Sequence, residues 1–205
     1  MRTIITTGGR PDDVSRKLAS EAAESLGYEI VERNKRSIVR LQKEYESAVL
    51  VAGANRYALY REGMNKPFFF HPNSAAFRLK RLANGELDPF IAASELRVGD
   101  SVLDCTLGLA ADSIIASFIV GDSGKVVGVE GDPDIAFIPK RGLRSFFSVS
   151  TELALAMESF HVSHSYLVAF LVIQPASSWD VVYLDPMLSV AMDGSCHFHP
   201  LGQGG

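Results

Sequence analysis

Lysine and arginine are absent from the last 61 of the 205 residues, a stretch that still carries five acidic side chains. Basic side chains concentrate at the front. Residues 1–90 hold 15 Lys and Arg against 11 Asp and Glu, and residues 91–144 hold 5 against 8. That mild basic excess permits a polyanionic partner without requiring one. Cysteine is scarce: Cys105 and Cys196 cannot build a disulfide framework, so a reducing, cytoplasmic setting is expected. Long apolar runs are missing as well. None is long enough to span a bilayer, and the opening MRTIITTGGRPDD lacks the apolar core of a secretory signal. The remaining composition, 47% hydrophobic and 21% charged, fits one domain with a sizeable core plus a smaller module.

Glycine is sparse where a nucleotide-binding turn would use it. The stretch SVLDCTLGLAAD, residues 101–112, reads as a buried strand that stops at Asp104, turns through Gly108 and enters a helix near Ala110. A strand, a glycine turn and a helix N-terminus make a cradle for a nucleotide, because the helix start offers unpaired N–H groups and glycine lets the ligand approach the backbone. With Gly108 alone, the three-glycine pyrophosphate fingerprint is lacking, and no Gly-Lys-Ser/Thr marks a P-loop. A second strand, Lys125 to Glu130, ends on a carboxylate suited to ribose hydroxyls. A third, Asp180 to Leu184, ends in Asp185-Pro186-Met187. An acidic acceptor on a rigid proline backbone suits the grip on an amino group.

The rest of the chain is organised around those three strand ends. Residues 1–87 read as a small α+β module: a strand from Arg2, a helix opened by Pro11-Asp12-Asp13 with Val14, Leu18, Ala22 and Leu26 on its inner face, and a short strand at Tyr28 to Glu32. Then come a helix ending near Glu46, paired strands at 48–52 and 57–60, an extended segment from Lys66 to Pro72, and a helix capped by Asn73. Gly8-Gly9-Arg10 reads as a turn rather than a phosphate loop. Asp88-Pro89 opens a new helix, and the domain boundary is placed there. Residues 88–188 alternate strand and helix, which predicts a parallel, doubly wound sheet with its ligand crevice at the carboxyl ends of the strands. In that span, Asp132-Pro133 starts a helix whose length Pro139 and Gly142 are expected to limit.

Asp104-Cys-Thr-Leu-Gly-Leu-Ala-Ala-Asp112, Val129-Glu130 and Val182-Tyr-Leu-Asp-Pro-Met187 resemble the class I S-adenosylmethionine-dependent methyltransferases. More narrowly, they resemble the branch containing the ribosomal small-subunit guanine-N2 methyltransferase, which also has a small N-terminal module and a basic segment similar to His71 to Arg81. The resemblance implies a Rossmann-like α/β fold, S-adenosylmethionine as cofactor and a base amine of RNA, guanine N2 of rRNA above all, as acceptor. It places Asp104, Thr106, Gly108, Asp112 and Glu130 at the cofactor, with Asp104 and Gly108 at its methionine end and Glu130 on its ribose. Asp185 and Pro186 face the acceptor amine. Arg78, Lys80 and Arg81 are the candidate RNA-binding cations, with a solvated helix face as the competing reading. Ala110 departs from the branch, which has glycine there, and His164-Ser-Tyr166 lacks the acid common at the adenine contact. A small-molecule acceptor, or a cofactor- or RNA-binding protein without a complete site, are the alternatives.

Residues 189–205 show no period and read as an irregular tail, where such a sheet would normally continue; a shortened C-terminus is expected. The strand at Asp180 would then be an exposed edge open to homodimerisation. Cys196-His-Phe-His199 has metal-like residue types without a zinc spacing, so no metal is expected. Cys105 reads as a small buried side chain, and Phe68-Phe69-Phe70 as core rather than a base-stacking platform.

Overall fold

Main-chain pairing sorts the strands into two sheets. The computed structural model describes residues 2–64, 66–147 and 150–185; Pro186, Met187 and the tail with Cys196 to His199 lie outside them. In the first sheet β1 (Thr3–Thr7) runs parallel to β2 (Ala48–Ala52), which pairs antiparallel with β3 (Tyr57–Tyr60). The strand expected at Tyr28 to Glu32 and the extended segment after Lys66 reduce to single bridges at the two edges, Ile30 to Ile5 and Phe68 to Leu59.

Short-range capping sets where the helices start. In α1 (Asp13–Leu26), the Asp12 carboxylate accepts the Ser15 N–H at 2.8 Å while Ser15 Oγ accepts the Asp12 N–H at 2.9 Å. Its buried stripe is Ser15, Ala19 and Ala22, and of the expected face Ala22 is buried, Leu18 and Leu26 pack partly buried against the core, and only Val14, 53% exposed, stands off it. Small side chains on that stripe let the helix lie close against the first sheet. Next come α2 (Ile38–Tyr45) and α3 (Asn73–Ala83). Asn73 does not cap α3: the N-cap is Pro72, with no side-chain cap bond. In α4 (Pro89–Ser94), Asp88 accepts the N–H groups of Phe90 and Ile91, as Asp-Pro predicts.

The second sheet is parallel throughout, in the order β6-β5-β4-β7, with β4 (Ser101–Asp104), β5 (Lys125–Glu130), β6 (Phe160–His164) and β7 (Val181–Tyr183). Its crossovers carry α5 (Ala111–Val120), α6 (Pro133–Ser145), α7 (Thr151–Glu158) and α8 (Leu167–Val172). The chain leaves β4 toward one edge and returns to its other side at β7. β4 therefore stands at a switch in strand order, where a crevice opens at the carboxyl ends. Contrary to expectation, α6 runs through Pro139 and Gly142 to Ser145. Proline removes one N–H, but Phe137, Ile138, Pro139 and Leu143 are buried, and that packing outweighs the lost bond. Gly142 is where Phe70 presses on the helix: a Cβ there would sit 2.3 Å from the ring.

One apolar cluster joins both sheets, with Ile5, Leu50 and Leu59 from the first and Val102, Ile114 and Ile138 around the second. Ion pairs reinforce the joint. Arg61, just past β3, donates to both oxygens of Asp132 at 2.7 Å and to Asp134 at 2.8 Å, and Thr3 Oγ1 donates to Asp134 at 2.7 Å. Among the described residues β7 is an edge strand, with Val182 and Leu184 exposed, and no helix is long and apolar enough to cross a membrane.

Candidate active site

The crevice at the carboxyl ends of β4, β5 and β7 has a volume of about 420 Å³. Phe68, Cys105, Thr106, Leu107, Gly108, Leu109, Ala111, Asp112, Glu130 and Asp185 form its wall. Five of the sequence-predicted residues therefore meet there, from three strand ends spread over 80 positions. Asp104 does not reach the wall. It lies beneath, 3% exposed, accepting the Ser113 hydroxyl at 2.6 Å and the Thr106 N–H at 2.9 Å, so it shapes the turn from below. Burial holds its carboxyl above the ordinary value despite those two bonds.

The turn is anchored on β5. Leu107 N–H donates to Val129 O at 3.2 Å, and its side chain packs into the space left by Gly128. A Cβ on Gly128 would stand 2.3 Å from Leu107 Cδ1 and 3.1 Å from Ser113 Oγ. Gly128→Ala is expected to displace the turn, lowering stability by about 1–3 kcal/mol and weakening any ligand of the crevice; urea unfolding and ligand titration of the variant measure both. Gly108 adopts φ +49, and Ala110 adopts φ +64 as the N-cap of α5. Ala110 thus keeps a glycine-like conformation with a fully buried methyl. It does not strengthen the helix start, because its own backbone is left-handed.

Carboxylates dominate the crevice wall. Among the described residues it carries three, Asp112, Glu130 and Asp185, and no Lys or Arg; Asp112 is paired from behind by Arg78. Glu130 is oriented by the Asp132 N–H, which it accepts at 3.0 Å. Asp185 donates its N–H to Thr106 Oγ1 at 2.9 Å, and its carboxylate accepts the Tyr183 hydroxyl at 3.4 Å. The Tyr183 phenol is pushed up to about 12, first by burial and then by the charges of Asp112, Asp185 and Asp104. Cys105 is buried, and burial followed by the Asp104 charge pushes its thiol up, away from nucleophilic reactivity.

The predicted RNA-binding cations separate. Arg78 points inward: it makes two bonds to Asp88, at 2.7 and 2.9 Å, and one to Asp112 at 2.6 Å, with its side chain 17% exposed. It ties α3 and the start of α4 to the crevice. Its guanidinium meets carboxylates rather than the surface. Lys80 is exposed, and Arg81 pairs with Glu86 at 2.7 Å beside the exposed Phe77. Sequence reasoning missed Phe68, which brings the N-terminal half to the crevice wall. Nothing in local spacing links it to Gly108, forty positions later. The place of Phe68 is set by the bridge to Leu59, with a main-chain bond in each direction, a pairing that the local sequence does not announce.

Over 198 residues the chain is 39% identical to the uncharacterized protein YpiP of Bacillus subtilis, spanning 97% of this chain and 77% of that protein. No family model matches it. Among solved structures, the SAM-dependent methyltransferase NGO1261 from Neisseria gonorrhoeae superimposes with a TM-score of 0.60 over 90% of this chain and 69% of that one, at 20% identity. At that identity the likeness concerns the fold.

Proposed function

The chain belongs to the family of Bacillus subtilis YpiP and carries a class I methyltransferase sheet; from these we propose that it is an S-adenosylmethionine-dependent methyltransferase acting on an exocyclic base amine of RNA, guanine N2 of ribosomal RNA being the acceptor favoured by the resemblance. The observation that carries this reading is the crevice wall: among the described residues Glu130 and Asp185 face it with no Lys or Arg beside them in the lining, while Asp112 is paired from behind by Arg78. A pyrophosphate-bearing dinucleotide would meet repulsion there, whereas a sulfonium cation is matched in sign. The cofactor, when bound, supplies an electrophilic methyl group. Glu130, preset by the Asp132 N–H, accepts the ribose hydroxyls. Gly108 and its neighbours take the backbone-lined end, and Thr106 fixes the strand end that bears Asp185. Asp185 accepts an N–H of the acceptor amine, orients its lone pair and takes the released proton, directly or through water. Pro186, beyond the described residues, belongs to the same proposed grip. Phe68 closes the wall from the N-terminal half and keeps water from the reacting nitrogen.

Lys80 and Arg81 on α3 are the proposed phosphate contacts. The Arg81–Glu86 pair is exposed on both sides, so exchanging it for a phosphate costs little. Arg78 serves the same site indirectly by holding Asp112 in place. Pairing of two copies through the β7 edge completes the proposal; a light-scattering mass of one chain at high concentration removes it.

Calorimetry with S-adenosylhomocysteine tests the cofactor reading. Binding by the unmodified chain and a loss of about 10- to 100-fold in Glu130→Ala are expected, the size of hydrogen bonds to a charged acceptor. Absence of heat from the unmodified chain refutes a cofactor site, and equal affinity in the variant refutes the ribose assignment.

A further inference from the structure

A second cavity, of about 630 Å³, lies on the other side of the Phe68 segment, between the first sheet and α6. Phe68 lines the crevice, while Phe69, Phe70 and His71 line this cavity, so consecutive residues form a shared partition. Facing them are Asn55, Arg56 and Tyr57 from the β2–β3 turn and strand, and Gly142 and Phe146 from the end of α6.

Its chemistry is distinctive. Among the described residues the lining has one Lys or Arg, Arg56, and no carboxylate, whereas the crevice wall carries carboxylates. The Arg56 guanidinium lies 4.2 Å from the centre of the Phe69 ring, and His71 stands 5.2 Å from the same ring. A guanidinium held against an aromatic ring forms a platform for a planar group, with donors left to meet an anion. His71 Nδ1 is buried without a hydrogen-bond partner among the described residues. A buried polar atom in that state costs free energy that a ligand's donor or acceptor would recover. The three features together fit a planar heterocycle with hydrogen-bonding edges and an attached negative charge.

We propose that this cavity receives one unstacked nucleotide of the acceptor RNA, flanking the nucleotide whose amine enters the crevice. The base stacks at Phe69 and Arg56, its edge meets His71 and Asn55, and its phosphate meets the Arg56 guanidinium. The assignment rests on the methyltransferase reading for its RNA partner. It adds how a single strand is held: two nucleotides on either side of one partition, each unstacked from the other by the Phe68 to His71 segment.

The test measures fluorescence anisotropy of a labelled, random-sequence single-stranded RNA octamer, with S-adenosylhomocysteine calorimetry and thermal melting on the same preparations. Phe69→Ala is expected to weaken octamer binding about tenfold, in line with the loss of one base–aromatic stack. S-adenosylhomocysteine affinity and the melting midpoint stay near those of the unmodified chain, and Phe69→Tyr restores binding. Arg56→Ala also weakens binding and lowers the slope of log K against log salt by about one, whereas Phe69→Ala leaves that slope unchanged. Octamer affinity unaltered in both variants overturns the proposal, as does an unmodified chain that binds S-adenosylhomocysteine but no RNA. Adenosine monophosphate bound as tightly as the octamer marks a mononucleotide site and overturns it too. An octamer response of the expected form with no S-adenosylhomocysteine binding supports the cavity assignment and refutes the cofactor reading, so the two fail separately.

Discussion

Arg61→Ala is expected to lower the free energy of unfolding by about 3–5 kcal/mol, the range for removing one partner from a buried ionic cluster. Three donor contacts disappear at once: two to Asp132 and one to Asp134, whose side chain is 2% exposed. Thr3 remains as a hydroxyl donor to Asp134, and a neutral hydroxyl does not balance a carboxylate charge. Asp132 is also the N-cap of α6, so the loss reaches the helix that walls the second cavity. Urea unfolding at neutral pH measures the change; a difference under about 0.5 kcal/mol would mean the cluster is worth no more than a surface pair.

The same variant has a pH signature. In the unmodified chain, burial raises Asp132, but the bonds from Arg61 and from the Ile135 and Asp134 N–H groups win, and the carboxyl sits below its ordinary value. A depressed carboxyl contributes stability that is present above the unfolded value, near 3.9, and is lost as pH falls through the folded one. Removing Arg61 leaves burial acting against weaker opposition. The Asp132 carboxyl then moves up toward its unfolded value, and the stability that it contributes above that value shrinks. The variant's unfolding midpoint is expected to lose less on acidification than that of the unmodified chain. Parallel acid limbs would rule out Asp132 as the group responsible.

Asp185→Ala is expected to lower methyl transfer by about 10²- to 10⁴-fold, the range for a positioned general base, with S-adenosylhomocysteine affinity changed only a few-fold. Asp185 alone among the crevice carboxylates stands at the end of β7, its N–H tethered to Thr106 Oγ1. Transfer of a tritiated methyl group into total ribosomal RNA is the assay. Asp185→Asn separates two roles, since the amide keeps a carbonyl acceptor but cannot take a proton. Near-normal transfer by the Asn variant would assign Asp185 to orientation alone, and near-normal transfer by the Ala variant would refute both roles. The Tyr183 phenol, pushed up to about 12, remains protonated through neutral and mildly alkaline pH and continues to donate to Asp185. The profile is therefore expected to show no alkaline loss attributable to that contact below pH ~10.

Features that depend on neighbours a few positions apart are legible in the chain alone. The helix opening at Pro11-Asp12-Asp13 and the Asp-Pro starts at Asp88 and Asp132 are satisfied within four residues, and each stands where the sequence puts it. The strand–turn–helix at 101–120 and the acidic end of β5 belong to the same class, which is why the crevice was legible: strand alternation with helices forces parallel ends to one edge. Features that depend on a partner far along the chain are settled only by packing. Arg78 carries the same local pattern as Lys80 and Arg81, yet its guanidinium turns inward because packing α3 on α5 brings Asp112 to it across 34 positions. The α6 helix passes Pro139 because a buried face, packed on β6, β5, β3 and α7, outweighs a local breaker. Phe68 and Phe69, adjacent in the chain, end in separate cavities because the bridge to Leu59 holds Phe68 at the crevice while α6 and the first sheet wall the space beside Phe69. Capping energies act over one turn of chain, whereas the partner of a charge or an aromatic ring is chosen only when the sheets close on one core.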